Sequence, residues 1–535
     1  MLAFRSTIVN KQQMEMAYGT IIMNSESNNA TSSDAQVKYA GTIIPTNDDE
    51  TVIISIDNAI ESIGMGPFQR RVLWAAGLCF TADATEVMLL SFLSLTLQSE
   101  WGLTDMQTAT MTACVFAGSL VGTLFLGYFG DHYGRRPAFL LACAMISFFG
   151  FATAFATGYA GLVGLRFMVG FGVGGLVVPF DVFAEFLPTS HRGIKLLHIE
   201  YFWTAGSLIT PLLAYLTLET SWRFFVVLCA IPCLVAGIMG VCLVPESPRW
   251  LISMGRYEEA ISVLRTAAAA NGIDPDSLFP ANVTLQNEEA ESSNFIDLLS
   301  RKWRRTTLYL WGAWVGYAVG YYGVILATTR IFDEDAINDA QNQEGGGGTP
   351  HFNYEAIFIS ASAEIFGLIV VIRTVDSLGR IPSQIISYIF AGVCIFALSM
   401  LSTVTSNNVV LTALSFFARA GFEMGSCVTW VSTAEILTTE IRTTGHSAAN
   451  AVARIGAFAS PYLVGSNNSM LTVGTIMLVI SLFTAYCTSK LPETKGRQIG
   501  HTSLDDGNAE EENDGNEMMY RYQSDGNTKD EKTIL

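Results

Sequence analysis

The chain has 535 residues, 50% of them hydrophobic and only 15% charged, against roughly 25% charged in soluble domains. Apolar stretches of about 20 residues recur along most of its length, each long enough to cross a hydrocarbon core of roughly 30 Å, which excludes a soluble globular protein. The formal net charge of -18 is concentrated in the ends and comes with no basic stripe or nucleic-acid motif, so no nucleic-acid partner is expected.

Residues 1–70 read as a cytosolic tail, polar and mostly disordered, with Asp48, Asp49 and Glu50 before the first span. Its first 20 residues lack a charged start followed by an apolar core, so no cleavable signal peptide is predicted. Residues 71–244 hold six predicted spans at 72–97, 106–129, 137–157, 160–183, 196–217 and 223–244. Residues 245–306 form a polar central loop in which Tyr257 to Arg265 suggests a short amphipathic helix. Six further spans follow within 307–490, at 307–329, 354–372, 382–402, 408–433, 447–465 and 470–489. Residues 491–535 are an acidic tail, also expected to be cytosolic and disordered. Only helices satisfy their own backbone hydrogen bonds in lipid, and no alternating strand pattern suggests a barrel. The predicted fold class is therefore an all-α integral membrane protein of twelve transmembrane helices. The nine cysteines fall in or at the ends of spans and read as small packing residues.

Basic residues fix the expected orientation. Arg135, Arg136, Arg192, Lys195, Arg249, Arg256, Arg301, Lys302, Arg373, Arg380 and Arg442 all lie in loops on one side. The positive-inside rule puts that side, and both termini, in the cytosol.

The chain repeats itself. Gly130-Asp131-His-Tyr-Gly134-Arg135-Arg136 is answered about 245 residues later by Asp376-Ser-Leu-Gly379-Arg380. Ala184-Glu185 through Arg192 aligns with Ala434-Glu435 through Arg442, and Pro245-Glu246-Ser-Pro248-Arg249 with Pro492-Glu493-Thr-Lys495-Gly496. Arg166 in span four is matched by Arg419 in span ten. Such duplication implies two parallel six-helix halves with a substrate site near the midplane between them.

The two Asp-x-x-Gly-Arg turns, Pro-Glu-Ser-Pro-Arg-Trp and Pro-Glu-Thr-Lys-Gly resemble the major facilitator superfamily over about 70 to 497. Within it, Ala59-Ile-Glu-Ser-Ile-Gly64, Ala82-Asp83-Ala-Thr-Glu86 and Glu200-Tyr-Phe-Trp203 resemble the synaptic vesicle 2-related and nicotinate or organic-ion transporter branch. The resemblance implies secondary transport of a small organic solute, nicotinate-like or an organic ion, by alternating access with protons as the coupling ion. Sugar-proton symport is the nearest alternative, and a non-transporting sensor or vesicle protein is another. It also implies a latch at the inner gate, drawn from Asp131, Arg135, Arg136, Glu185, Arg192, Asp376, Arg380, Glu435 and Arg442. There Asp131 would meet a helix N-terminus in the other half. The second copy, with Ile381 in place of a second basic residue, would latch more weakly.

Charges inside spans are costly, by about 2.5 to 3.5 kcal/mol on insertion scales, and mark pathways or relays. Asp83 and Glu86 lie three apart on one helix face, and with Arg166 they are the candidate proton-coupling group. Asp83 is the expected partner of Arg166, whether as a switch or as a static salt bridge. Arg419 and Glu423, four apart, are expected to pair with each other, while Glu364 and Arg454 have no local partner in sequence. Glu200, Trp203, Tyr321, Tyr322, Trp430 and Arg454 are the candidate substrate-binding residues. Acids beside rings suit a flat or cationic solute through stacking and cation-π contact, and Arg454 suits a carboxylate. No nucleophile constellation, metal-ligand cluster or phosphate loop is present in the sequence, so no enzyme, no ATP dependence, no metal and no cofactor are expected. The expected partners are the solute, protons and the lipid bilayer, and the expected state is a monomer.

Overall fold

The computed structural model describes residues 42–45, 50–188, 192–280, 283–286, 295–333, 351–405, 407–437, 439–465 and 467–495. Twelve long helical elements make the bundle. The first half contains α1 (Pro67–Trp101), α2 (Asp105–Tyr133), α3 (Arg135–Thr153), α4 (Tyr159–Glu185), α5 (Glu200–Thr217) and α6 (Trp222–Leu243). The second contains α7 (Arg304–Ile331), α8 (Tyr354–Leu378), α9 (Arg380–Leu401), α10 (Asn408–Ile436), α11 (Thr439–Val464) and α12 (Met470–Thr488). Among the described residues nine of these are long and apolar enough to span a membrane by length and composition. The remaining three, α5, α10 and α11, carry the Glu200, Arg419, Glu423 and Arg454 that lower their hydropathy. An even number of passes returns the chain to the face it started from, here called the tail face.

Neighbours follow the duplication. The halves meet through α2 against α11 and α5 against α8, which are equivalent pairs when α1–α6 is laid on α7–α12. Within the first half α2 and α4 pack closest, because glycines remove the side chains between them. A Cβ on Gly170 would lie 2.0 Å from the Val115 carbonyl oxygen, and one on Gly122 1.9 Å from that of Phe171. This is the small-residue packing by which membrane helices gain dispersion contact.

α4 is not continuous. It runs as Tyr159–Gly174 and Val177–Glu185, joined by three-residue-type hydrogen bonds from Gly175, Leu176 and Val178 to Gly172, Val173 and Gly175. Irregular backbone at membrane depth survives where it is buried or lines a cavity, and Leu176 and Val177 do line one.

At the tail face the described parts of the segment expected to be mostly disordered, Thr42–Pro45 and the residues from Glu50 on, hold ordered elements. β1 (Thr42–Pro45) pairs antiparallel with β2 (Glu50–Ile54), and β2 pairs parallel with β3 (Val283–Leu285) of the central loop. The helix Ile56–Ile63 that follows is capped by Ser55, whose Oγ accepts from the Asn58 N–H at 3.3 Å. It buries Ile56, Ala59, Ile60 and Ile63 against the central-loop helix Tyr257–Ala270 and the base of α1. Three buried isoleucines contribute roughly 1.5–3 kcal/mol each. Asp57 then holds Arg192 and Arg249 together, tying this collar to the first half.

Candidate substrate cavity and gating clusters

One cavity lies between the halves at the level of the α4 break. Asp83 and Phe80 reach it from α1, Glu200 and Trp203 from α5, and Tyr317, Tyr321 and Tyr322 from α7. Glu423, Ser426 and Trp430 come from α10, and Asn450 and Arg454 from α11. All six residues predicted to bind substrate, and Asp83, therefore share one wall. Its volume is about 50 Å³, room for a few waters.

A hydrogen-bonded chain crosses that wall from one half to the other. Trp203 Nε1 donates to the Tyr321 hydroxyl at 2.6 Å. Tyr321 donates to Glu364 Oε1 at 3.0 Å, and Glu364 is ion-paired to Arg419. Opposite, Arg454 Nη1 donates to the Tyr322 hydroxyl at 3.3 Å and lies within electrostatic reach of Asp83.

These pairings correct two expectations. Arg166 pairs with Glu86, not Asp83: Arg166 Nη1 donates to Glu86 Oε2 at 2.8 Å, and Thr153 Oγ1 accepts from Arg166 Nε and Nη2 at 3.2 and 2.8 Å. The three-residue step turns Glu86 toward α4 and leaves Asp83 facing the cavity. Arg419 pairs with Glu364 on α8, not with Glu423, whose Oε1 accepts from Cys427 Sγ at 3.3 Å. Glu364 and Arg454, without local partners in sequence, find theirs on neighbouring helices. The cavity residues Phe80, Tyr317, Glu423, Ser426 and Asn450 were not anticipated as binding residues. Tyr317 and Glu423 carried a signal, since Tyr317 lies on the Tyr321 stripe and Glu423 is an intramembrane acid.

The repeated turns form two clusters, each within its own half. In the first, Arg135 Nη1 pairs with Asp131 at 2.8 Å and its Nε with Glu185 at 3.6 Å. Asp131 is 59% exposed, and among the described residues its carboxylate is paired with Arg135 of its own half instead of a helix N-terminus of the other. The Arg136 N–H donates to Glu246 Oε1 at 3.1 Å, and its Nη2 to the Val241 carbonyl at 2.7 Å. Arg192 bonds Asp57 and the Leu187 carbonyl instead of the turn. In the second cluster Arg380 pairs bidentately with Glu435 at 2.9 and 3.1 Å and with Asp376 at 2.9 Å. The N–H groups of Arg380 and Ile381 donate to the two Glu493 oxygens at 2.9 and 3.0 Å. Ile381 thus does with its backbone what Arg136 does with its own, and the side-chain change there leaves this bond intact. The Arg442 side chain lies outside the described residues. Gly134 and Gly379, at φ +114° and +98°, each face the glutamate, and a Cβ would fall 2.3 Å from Glu246 Oε2 or 2.8 Å from Glu493 Oε2.

At the face opposite the tails the halves interlock. Thr329 Oγ1 donates to Ser91 Oγ at 3.0 Å, the Tyr462 hydroxyl to Thr110 Oγ1 at 3.3 Å, and Phe352 meets Phe92 at 5.2 Å between ring centres. On the tail side of the cavity, Phe180 lies 5.8 Å from Trp430 and 6.5 Å from His446. The interlock thus lies on one side of the cavity and a layer of rings on the other.

The family model for sugar (and other) transporters matches residues 21–504. The synaptic vesicle 2-related protein of Xenopus laevis is 31% identical over 466 residues, 84% of this chain and 82% of that protein. Organic cation/carnitine transporter 7 of Arabidopsis thaliana is 30% identical over 488 residues, 83% of this chain and 95% of that protein. Among solved structures, the xylose transporter XylE from E. coli in a partially occluded inward open conformation superposes with a TM-score of 0.63. It is 19% identical and the match covers 81% of this chain and 99% of that one.

Proposed function

This chain belongs to the sugar (and other) transporter family of major facilitators, transporters and not enzymes, and from that premise we propose that it carries a small organic cation by alternating access, coupled to protons. The observation that carries this reading is the charge and ring content of the cavity. Asp83, Glu200 and Glu423 line it against Arg454, amid Phe80, Trp203, Tyr317, Tyr321, Tyr322 and Trp430. A flat or quaternary ammonium gains from both acid and ring face, by about 2 kcal/mol or more per desolvated cation-π contact. An unaccompanied anion such as nicotinate would face that same acid excess. The organic cation/carnitine transporter among the relatives agrees with this chemistry. The basic residues in the loops of the tail face support a cytosolic position for that face.

Sugar-proton symport is the second reading, favoured by the carbohydrate carried by the xylose transporter of like fold and by Asn450 and Ser426 in the wall.

The test is uptake by the purified full chain in liposomes, with radiolabelled 1-methylnicotinamide (a flat permanent cation), nicotinate and xylose, with and without a pH gradient. Uptake of the cation, inhibited by other organic cations, is the expected result. Uptake of xylose, competed by hexoses and not by organic cations, overturns it in favour of the second reading.

A further inference from the structure

Resting on the organic-cation reading of the cavity, we infer that Glu200 and Glu423 form one shared acceptor for which proton and organic cation compete, so that the protein exchanges the cation for protons instead of carrying both in one direction.

The inference follows from which acids have counter-ions. Glu364 on α8 is spoken for by Arg419 of α10 and by the Tyr321 hydroxyl of α7. Asp83 on α1 lies within reach of Arg454 on α11, which also bonds Tyr322. Glu86 holds Arg166 away from the cavity. Two acids of the wall remain. Glu200 lines a cavity whose lining holds three acids, Asp83, Glu200 and Glu423, against Arg454 alone among the described residues. Glu423 lines the same cavity and accepts from the Cys427 thiol, while Arg419 is ion-paired to Glu364.

The two surplus carboxylates come from opposite halves, Glu200 from the first turn of α5 and Glu423 from the middle of α10. Two carboxylates lining one narrow cavity between the halves do not both stay ionised without a cation between them. The vacant site therefore holds a proton, and an arriving monocation replaces it one charge for one charge. In the loaded state both carboxylates are ionised against the cation, and the rings of Trp203 and Tyr321 cover it. A proton at this site weakens cation binding, whereas symport needs a proton that strengthens it. Because the site opens to one face at a time, the proton released at one face is taken up at the other, and each cycle moves the cation against the proton.

Competition by a single proton sets the size of the effect. Below the titration of the pair, the half-saturating concentration of the cation rises about tenfold for each unit fall in pH.

The test uses the full chain in liposomes with the membrane potential clamped by potassium and valinomycin, 1-methylnicotinamide as probe and a lumenal pH dye. Acid-inside vesicles are expected to accumulate the probe, and its addition is expected to make the lumen more alkaline. Accumulation only with acid outside, or equally without a gradient, overturns the exchange while leaving the cation reading standing. Uptake of xylose with none of the probe under either gradient overturns the cation reading itself. Glu423→Gln is expected to flatten the pH dependence of the half-saturating concentration, and an unchanged slope overturns the shared acceptor. If that variant does not fold, the direction of the gradient in the unaltered protein decides.

Discussion

Asp83 and Arg454 line the same cavity from different halves, α1 and α11, and Asp83 Oδ1 has no hydrogen-bond partner among the described residues. Asp83→Asn leaves the guanidinium as an uncompensated cation in the wall. Uptake of 1-methylnicotinamide is then expected to fall about tenfold, the scale of one lost charge contact, while nicotinate becomes an effective competitor. Competition assays at matched surface expression check this. The Arg166 site is expected to behave differently because it lies off the solute path. Arg166→Ala strands Glu86, and losing one partner of a buried pair costs roughly 3–5 kcal/mol; the double variant Arg166→Leu with Glu86→Leu is expected to recover much of that in a melting assay. The identities of these charges were legible in the sequence, and so was the convergence of Glu200, Trp203, Tyr321, Tyr322, Trp430 and Arg454 on a common type of site. Their partners were not. Helical spacing relates residues on one helix, and it cannot say that α8 and not α10 supplies the counter-ion of Arg419.

Each Gly-Arg turn works as an element because a helix begins where it ends. The first N–H groups of α9 lack intrahelical acceptors, and the Glu493 carboxylate caps them. Burial disfavours charge on Glu493, but the N–H groups of Arg380, Lys495, Ile381 and Thr494 outweigh it and hold the carboxyl below its ordinary value of 4.5. A lowered value in the folded state means the stabilisation is fully present above the ordinary value and is lost as pH falls through the lowered one. Glu493→Gln is expected to cost about 1–2 kcal/mol near neutrality, less if solvent screens this partly exposed group, and the difference from the unaltered protein should close only under strongly acid conditions. Thermal melts of the detergent-solubilised pair across pH would show it. The pairing of Pro-Glu with Gly-Arg was implicit in the duplicated motifs, although no motif said that backbone donors make the bond. The sheet at the tail face was invisible for another reason. β2 and β3 are separated by more than 200 residues, and two short polar-flanked strands carry too little pattern to announce a partner that distant.

At the scale of the whole molecule the duplication fixed the architecture, and the positions of the two halves relative to each other came only from the structure. Closure rests on residues such as Phe352, beside α8, meeting Phe92 of α1, a contact between distant segments that sequence spacing does not encode. The interlock marks one end of a transport cycle, so it has to part if a solute passes that face. Ser91 and Thr329 give a direct way to ask. Their hydroxyl oxygens are 3.0 Å apart across the halves, close enough for cysteines there to meet the short Cβ separation a disulfide needs, and Ser91 lines a second cavity at this face. Among the native cysteines Cys242 alone is exposed, so Cys242→Ser removes the competing surface thiol. In that background, Ser91→Cys with Thr329→Cys is expected to cross-link on oxidation and to lose nearly all uptake of 1-methylnicotinamide, with recovery on reduction. Each single cysteine variant should transport with or without oxidant. Full transport by the cross-linked protein would mean that this face does not open during the cycle, and that the contact between Ser91 and Thr329 is a fixed brace between the halves instead of a gate.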